Sequence, residues 1–298
     1  MIVDYIKVVI ISAMKLLFYS ITFFPKSFFE YLIDLYISIG VYKYTKTYEI
    51  TKINLKIAFP DASLKKINFI SKLSYRETLI SGFETMIAWG NKDFQSNKHI
   101  FKIENNFLHK SLSDNGLIMA AIHNRSVDML LKWINSQTTT VSLYKKIKLK
   151  LLNNFVIKQR ESGKSKCYET NIAGVRRIYR ALKNKKIVCF AVDQVPQRGY
   201  GEYIKFFGKE AYTSTLVQSL ASKTLLPVIY FYINSNKLNF LEVKIKHCND
   251  SIYNNSKHKL LVNKDIETII SKRPIDYSWE YKRFKKSKIA SSDPYKDI

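Results

Sequence analysis

Apolar residues fall along this chain in two patterns. Short unbroken runs bounded by breakers read as buried strands. Residues 117–122 form such a run after Asp114-Asn115-Gly116, residues 187–192 a second, and residues 227–232 a third. Residues 138–143 are β-branched and strand-like. Residues 238–245 largely alternate and should pair back on 227–232 through the turn Asn234-Ser235-Asn236-Lys237. Elsewhere, apolar positions three and four apart predict helices. These cover 27–42, ended near Gly40 with Glu30 and Asp34 on one face; 65–89, through Ile67, Ile70, Leu73, Leu79 and Phe83; 105–113; 129–135; and 263–271. Asn171 should cap a helix that runs to Leu182, with Ile178, Ala181 and Leu182 inward. Thr213 should cap another over 215–224. Residues 43–56 read as a basic link, 161–165 and 197–201 as flexible segments, and the tail beyond Lys288 as disordered.

Strand and helix alternate from 116 to 232. That order predicts one α/β domain over 45–288, with a largely parallel central sheet flanked by helices. The first 44 residues stand apart as an N-terminal helical region, and 289–298 as the tail. Residues 1–24 are strongly apolar and are closed by Pro25-Lys26, but Lys7 and Lys15 interrupt them. About 20 apolar residues span a bilayer as a helix. The run therefore reads as a spanning anchor, as an interfacial helix in the headgroup layer, or as a buried helix. No small-residue cleavage site follows it, which argues against a removed signal peptide.

Composition changes this picture at one point. The apolar fraction of 46% is ordinary for a folded chain, whereas a formal charge of +25 is not. Such a charge predicts an anionic partner: nucleic acid, an anionic bilayer or an acidic protein. No nucleic-acid module signature accompanies it. Cys167, Cys189 and Cys248 have neither disulfide nor metal spacing, which suits a reducing compartment, and no ligand cluster with metal spacing is present.

The first buried run ends at His123, and Asp128 follows five positions on, in HNRSVD. Sites in open α/β sheets collect at the carboxyl ends of strands. A neutral imidazole takes a proton from a hydroxyl near pH 7, and a carboxylate beside it fixes its tautomer. Positions five apart lie about 140° around a continuous helix. The pair meets only if His123 lies outside the helix and Asp128 in its first turns. On spacing alone, a solvated histidine and a helix-start aspartate are as good a reading. Asp193-Gln194 ends the second run as His123 ends the first, so parallel neighbours would bring them together; capping is the plainer role for Asp193. The cluster KKIKLK at 145–150 reads as a solvated helix face or a phosphate site.

HNRSVD resembles the H-x4-[DE] motif of the glycerolipid-type acyltransferases. Within that group the match is nearest to the lipid A biosynthesis acyltransferase family of lauroyl/myristoyl type. Four further stretches are similar to that family, in its order: TKINLKIAFP (51–60), AVDQ (191–194), FFGKEAYT (206–213) and WEYKRF (279–284). The resemblance implies transfer of a fatty acyl chain from an acyl carrier protein thioester to a hydroxyl of a lipid A precursor, in lipopolysaccharide biosynthesis. It implies no further cofactor, and a place on the cytoplasmic face of the inner membrane. His123 would act as base with Asp128 orienting it. The oxyanion would take donors from Arg160, from Arg125 or from a backbone N–H, with Arg176 and Arg177 as alternatives to Arg160. The family's arginine before the next helix is missing from CYETNIAG (167–174), which is a departure. Asp193, Gln194, Phe207, Gly208 and Thr213 become substrate-binding candidates. The N–H groups opening the 215–224 helix suit a phosphate. Acyl carrier protein is acidic and the lipid A precursor carries phosphates, so both suit a basic chain. Two other readings stay open: an acyltransferase acting on a lysophospholipid, amino-acid lipid or other glycolipid, and a non-catalytic basic membrane-binding protein.

Overall fold

The computed structural model describes residues 2–90, 99–161, 163–254, 258–289 and 292–298. Ser162 of the expected flexible segment, and residues 290 and 291 of the expected tail, lie outside the described residues.

Four helices open the chain: α1 (Ile2–Ile21), α2 (Lys26–Ile39), α3 (Lys46–Ala58) and α4 (Leu64–Gly90). α2 stops where its glycine predicts. Gly40 adopts φ +83° and donates its N–H to the Ile37 carbonyl. The stretch expected as a basic link is instead helical. Thr45 caps α3 by accepting from the Tyr48 N–H, and Tyr48, Thr51, Leu55 and Ala58 are buried at helical spacing. α1 and α2 both pack on α4. Phe18 stacks on Phe155 and meets Trp89 edge-on, Phe29 stacks on Phe83, and Gly90 lets the Phe18 carbonyl approach where a Cβ would stand 2.2 Å away. On the outside of α1, α2 and the turn between them, Leu16, Leu17, Phe23, Phe28, Tyr31 and Leu35 are exposed. Among the described residues, no helix is long and apolar enough to cross a membrane.

The strands are β1 (Ile100–Glu104), β2 (Leu117–Ala121), β3 (Thr140–Tyr144), β4 (Lys166–Glu169), β5 (Ile187–Ala191), β6 (Gly201–Phe206), β7 (Lys209–Ser214), β8 (Val228–Ser235) and β9 (Leu241–His247). Seven of them form one sheet in the order β1-β9-β8-β2-β5-β3-β4, parallel throughout except for the expected β8–β9 hairpin. The later helices are α5 (Phe107–Ser111), α6 (Val127–Gln137), α7 (Lys150–Arg160), α8 (Ile172–Lys183), α9 (Leu216–Thr224) and α10 (His258–Lys272). α8 opens as predicted, with the Asn171 side chain accepting from the Gly174 N–H at 2.9 Å.

Side chains alternate across the sheet. Ile118, Ala120, Val188 and Phe190 enter one core with Leu182 and Ala221; Leu117, Met119, Ile187 and Cys189 enter the other with Phe83 and Trp133. Both faces of β2 are covered, so all five of its residues are buried. That explains an unbroken apolar run where a half-exposed strand would alternate. Each fully buried Leu or Ile contributes about 1.5–3 kcal/mol over exposure.

Two expectations change here. β6 and β7 form a separate antiparallel ribbon, which places Phe207 and Gly208 in its two-residue turn with φ +47° and +75°. Positive φ at both positions is the geometry such hairpins need, and a glycine supplies one of them without strain. Thr213 consequently lies in β7, and Thr215 occupies the N-terminal boundary of α9. The tail also returns to the core: Tyr295 is 3% exposed, and its hydroxyl donates to Asn54 Oδ1.

Candidate active site

The site follows from strand register. Ala121 of β2 stands opposite Ala191 of β5. His123 and Asp193 each lie two residues further on, so they emerge side by side at the carboxyl edge. Asp193 accepts twice from the same residue, from the His123 backbone N–H at 2.9 Å and from the imidazole Nδ1 at 2.7 Å. Gln194 brings its amide nitrogen to 2.9 Å from His123 Nε2. On the other side Ala121 is in register with Phe231, and three residues beyond each, Asn124 donates to Asn234 at 2.8 Å.

The chain then turns into α6. Ser126 caps that helix, accepting from the Met129 N–H, and Asp128 lies in its first turn as required. Its carboxylate is directed to Arg160, the last residue of α7, which donates through Nε at 2.6 Å and Nη2 at 2.9 Å. The expected His123–Asp128 hydrogen bond is therefore replaced by two pairs, His123–Asp193 and Asp128–Arg160. The reason is geometric: the sheet delivers Asp193 to Nδ1, while the helix axis carries Asp128 toward α7.

Electrostatics agree with this arrangement. Burial alone would lower the proton affinity of His123, but the charge and hydrogen bond of Asp193 more than offset it. The imidazole is left above its usual 6.5, with Glu280 adding to the effect and Arg160 opposing it. Burial raises both Asp193 and Asp128, yet each ends below the usual carboxylate range, Asp193 through His123 and Asp128 through Arg160.

His123, Asp128, Arg160 and Gln194 line one cleft of about 340 Å³, together with Leu130, Leu143, Phe190 and Phe231 as apolar wall and Lys145, Lys285 and Lys286 as cationic lining. A larger groove of about 840 Å³ runs between α3 and α4. It contains neither the imidazole nor its carboxylates, so volume does not decide the site. Cys167 and Cys189 also reach the cleft, and burial pushes both thiols up, away from thiolate chemistry.

The other candidates lie elsewhere. The Arg125 side chain is fully buried and donates to Glu77 and Glu84 of α4, with its backbone at φ +57°. Arg176 and Arg177 are exposed on α8. Phe207 packs against Phe59 and Trp279, outside the cleft lining, as do Gly208 in the ribbon turn and Thr213, whose hydroxyl accepts from Arg283 at 2.8 Å. Those motifs act as scaffold. Asn54 donates to the carbonyls of Trp279 at 2.6 Å and Tyr281 at 2.9 Å. The same C-terminal segment pins the site loop, since Arg125 N–H donates to Asp276 and Ser278 N–H donates to the His123 carbonyl. Of the two buried glutamates of α4, Glu84, like Arg76, resembles a polar position of the family's helix, whereas nothing in the local sequence announces Glu77.

This geometry sits in a chain whose residues 2–286 match the family model described as bacterial lipid A biosynthesis acyltransferase. The chain belongs to that family. No curated protein matches it significantly. As a member of the lipid A biosynthesis acyltransferase family it is an acyltransferase, and the base, carboxylates and guanidinium of the cleft are groups acyl transfer can use. In this acyltransferase Arg125 belongs to the framework. Replacing it with methionine would remove the buried guanidinium that joins Glu77 and Glu84, leaving the first only Arg76 and the second only Lys26. The Arg125→Met variant should lose about 3–5 kcal/mol of stability, read by chemical denaturation; a loss under about 1 kcal/mol would show that the cluster is not a staple.

Proposed function

We propose that this acyltransferase moves a fatty acyl chain from an acyl carrier protein thioester to a hydroxyl of a lipid A precursor, at the cytoplasmic face of the inner membrane. The observation that carries the reading is an imidazole with its carboxylate and a fixed guanidinium on one cleft, in a chain of this family.

The chemistry is a direct transfer. Asp193 holds the proton of the imidazole on Nδ1, which leaves a lone pair on Nε2. The acceptor hydroxyl takes the place of the Gln194 amide at Nε2. His123 removes its proton as the oxygen attacks the thioester carbonyl, and Arg160 offsets the charge that develops on the carbonyl oxygen. Collapse breaks the C–S bond, and Nε2 returns the proton to the leaving sulfur. The products are an ester and a thiol, with no net proton change.

Two surfaces support the choice of partners. Lys145, Lys285 and Lys286 at the cleft, and +25 over the chain, attract a carrier protein rich in acidic residues and a phosphate-bearing acceptor. The exposed Leu16 and Leu17 of α1, Tyr31 and Leu35 of α2, and Phe23 in the turn between them suit the headgroup layer of a bilayer.

The test supplies purified protein in detergent with labelled acyl carrier protein thioesters and either a lipid A precursor or a lysophospholipid. Transfer to the first supports the reading, and transfer only to the second sinks the acceptor. The pH dependence is a further expectation. The base works unprotonated, and Asp193 raises its pKa. kcat/KM should therefore climb with pH through a midpoint above about 6.5, the ordinary value for histidine. A midpoint well below 6 would contradict a carboxylate-supported imidazole.

A further inference from the structure

The groove of about 840 Å³ between α3 and α4 shares no lining residue with the cleft of His123. The 3-10 turn Val41–Tyr44 contributes Lys43 to it, α3 contributes Lys52 and Lys56, and α4 contributes Lys72. Lys52 and Lys56 stand four apart, so they share one face of their helix. Against these four cations the lining holds one carboxylate, Glu49. Among the described residues, none of the four lysines is ion-paired. Asp34, whose charge Lys72 feels, is held by Arg76, which donates through Nη2 at 2.8 Å. The groove is therefore concave and positive, a shape that concentrates the field on an anion.

Its rim is apolar. Tyr44 and Phe69 both line the groove, yet Tyr44 is 91% exposed and Phe69 62%. Exposed Ile39 and Val41 continue this rim back to Leu35 on the outer face of α2. An acidic protein would use the cations and leave the rings in water. A phospholipid uses both, because aromatic rings favour the depth at which headgroup meets chain.

We propose that this groove binds the headgroup of an anionic phospholipid of the bilayer. The phosphate sits among Lys43, Lys52, Lys56 and Lys72, and the chains run along Phe69 and Tyr44. The inference goes beyond the transfer reaction and rests only on the bilayer placement of α2. The lipid held here is a matrix lipid rather than an acceptor, since groove and cleft are lined by different residues. With the outer face of α2 it makes a second point of attachment, one that selects anionic over neutral membranes.

The test titrates the full-length protein with phosphatidylcholine vesicles, with and without phosphatidylglycerol, and reads partition by flotation. One variant combines Lys43→Gln, Lys52→Gln, Lys56→Gln and Lys72→Gln. A second loses the same charge through Lys183→Gln, Lys186→Gln, Lys205→Gln and Lys223→Gln, at exposed positions outside groove and cleft. Each basic residue at an anionic surface changes partition by about fivefold. The groove variant should therefore lose about 10²-fold or more on anionic vesicles and keep its binding to neutral ones. The second variant should stay within about threefold of wild type, its charges lying beyond the screening length. Phe69→Ser with Tyr44→Ser should lose about tenfold. Circular dichroism checks that each variant is folded.

Equal losses in the two lysine variants would assign the attraction to overall charge and overturn the groove. Unchanged binding by the rim variant, with glycerol 3-phosphate competing fully from solution, would make this a site for soluble phosphates and overturn the lipid. Retained vesicle binding with lost binding of acyl carrier protein would give the groove to the carrier and overturn the proposal equally. A wild type that binds neither vesicle removes the bilayer placement and the groove lipid together. The groove variant should transfer acyl chains in detergent as wild type does, so failure of the transfer reading leaves the lipid site standing.

Discussion

Replacing His123 with alanine should lower kcat for acyl transfer by about 10²–10⁴-fold with KM little changed. The side chain is 23% exposed and lines the cleft, so its removal opens no core cavity. The backbone N–H of residue 123 still donates to Asp193, which keeps the strand end anchored. Asp193 does lose its imidazole partner, so a modest fall in stability accompanies the variant. Circular dichroism and thermal unfolding separate that from catalysis. A His123→Ala protein that is folded and within tenfold of wild-type kcat would remove the imidazole as base.

Arg160 carries the second large expectation. Removing an oxyanion donor costs about 10²–10³-fold in kcat, and Arg160→Ala should fall in that range. The same change strips Asp128 of both its hydrogen bonds, so a buried carboxylate held low by Arg160 moves up toward and beyond its ordinary range. Arg160→Lys restores a positive charge but not the planar fork, and should recover only part of the loss. Steady-state kinetics of both variants at saturating acceptor decide the matter. Equal kcat in wild type and Arg160→Ala would remove the guanidinium from the reaction.

Much of this architecture was legible because burial on both faces leaves a plain signature. β2, β5 and β8 appear in the sequence as apolar runs, and Asn171 and Gly40 mark helix ends through local backbone chemistry. Even the approach of Asp193 to His123 could be inferred from two strand ends. The assignment of partners could not. Whether Asp128 or Asp193 reaches Nδ1 depends on the two-residue register beyond Ala121 and Ala191, and on the direction in which α6 leaves the loop. The ribbon of β6 and β7 was hidden for a different reason. Its strands are half-exposed, and its turn carries a phenylalanine at positive φ, a residue that rarely signals a hairpin. Tyr295 was obscured by the lysines and serines around it, since one aromatic anchor does not alter a polar stretch enough to register as structure.

The hydrogen bonds from Arg125 to Asp276 and from Ser278 to His123 have a consequence for biosynthesis. Chains emerge from the ribosome N-terminus first, at about 5–20 residues per second. The strands that carry His123 and Asp193 are made first, and the segment that clamps their loop follows only after the last strand of the sheet. A nascent chain can therefore form its sheet while its acyl-transfer centre is still incomplete, and competence waits until Asp276 and Ser278 have emerged.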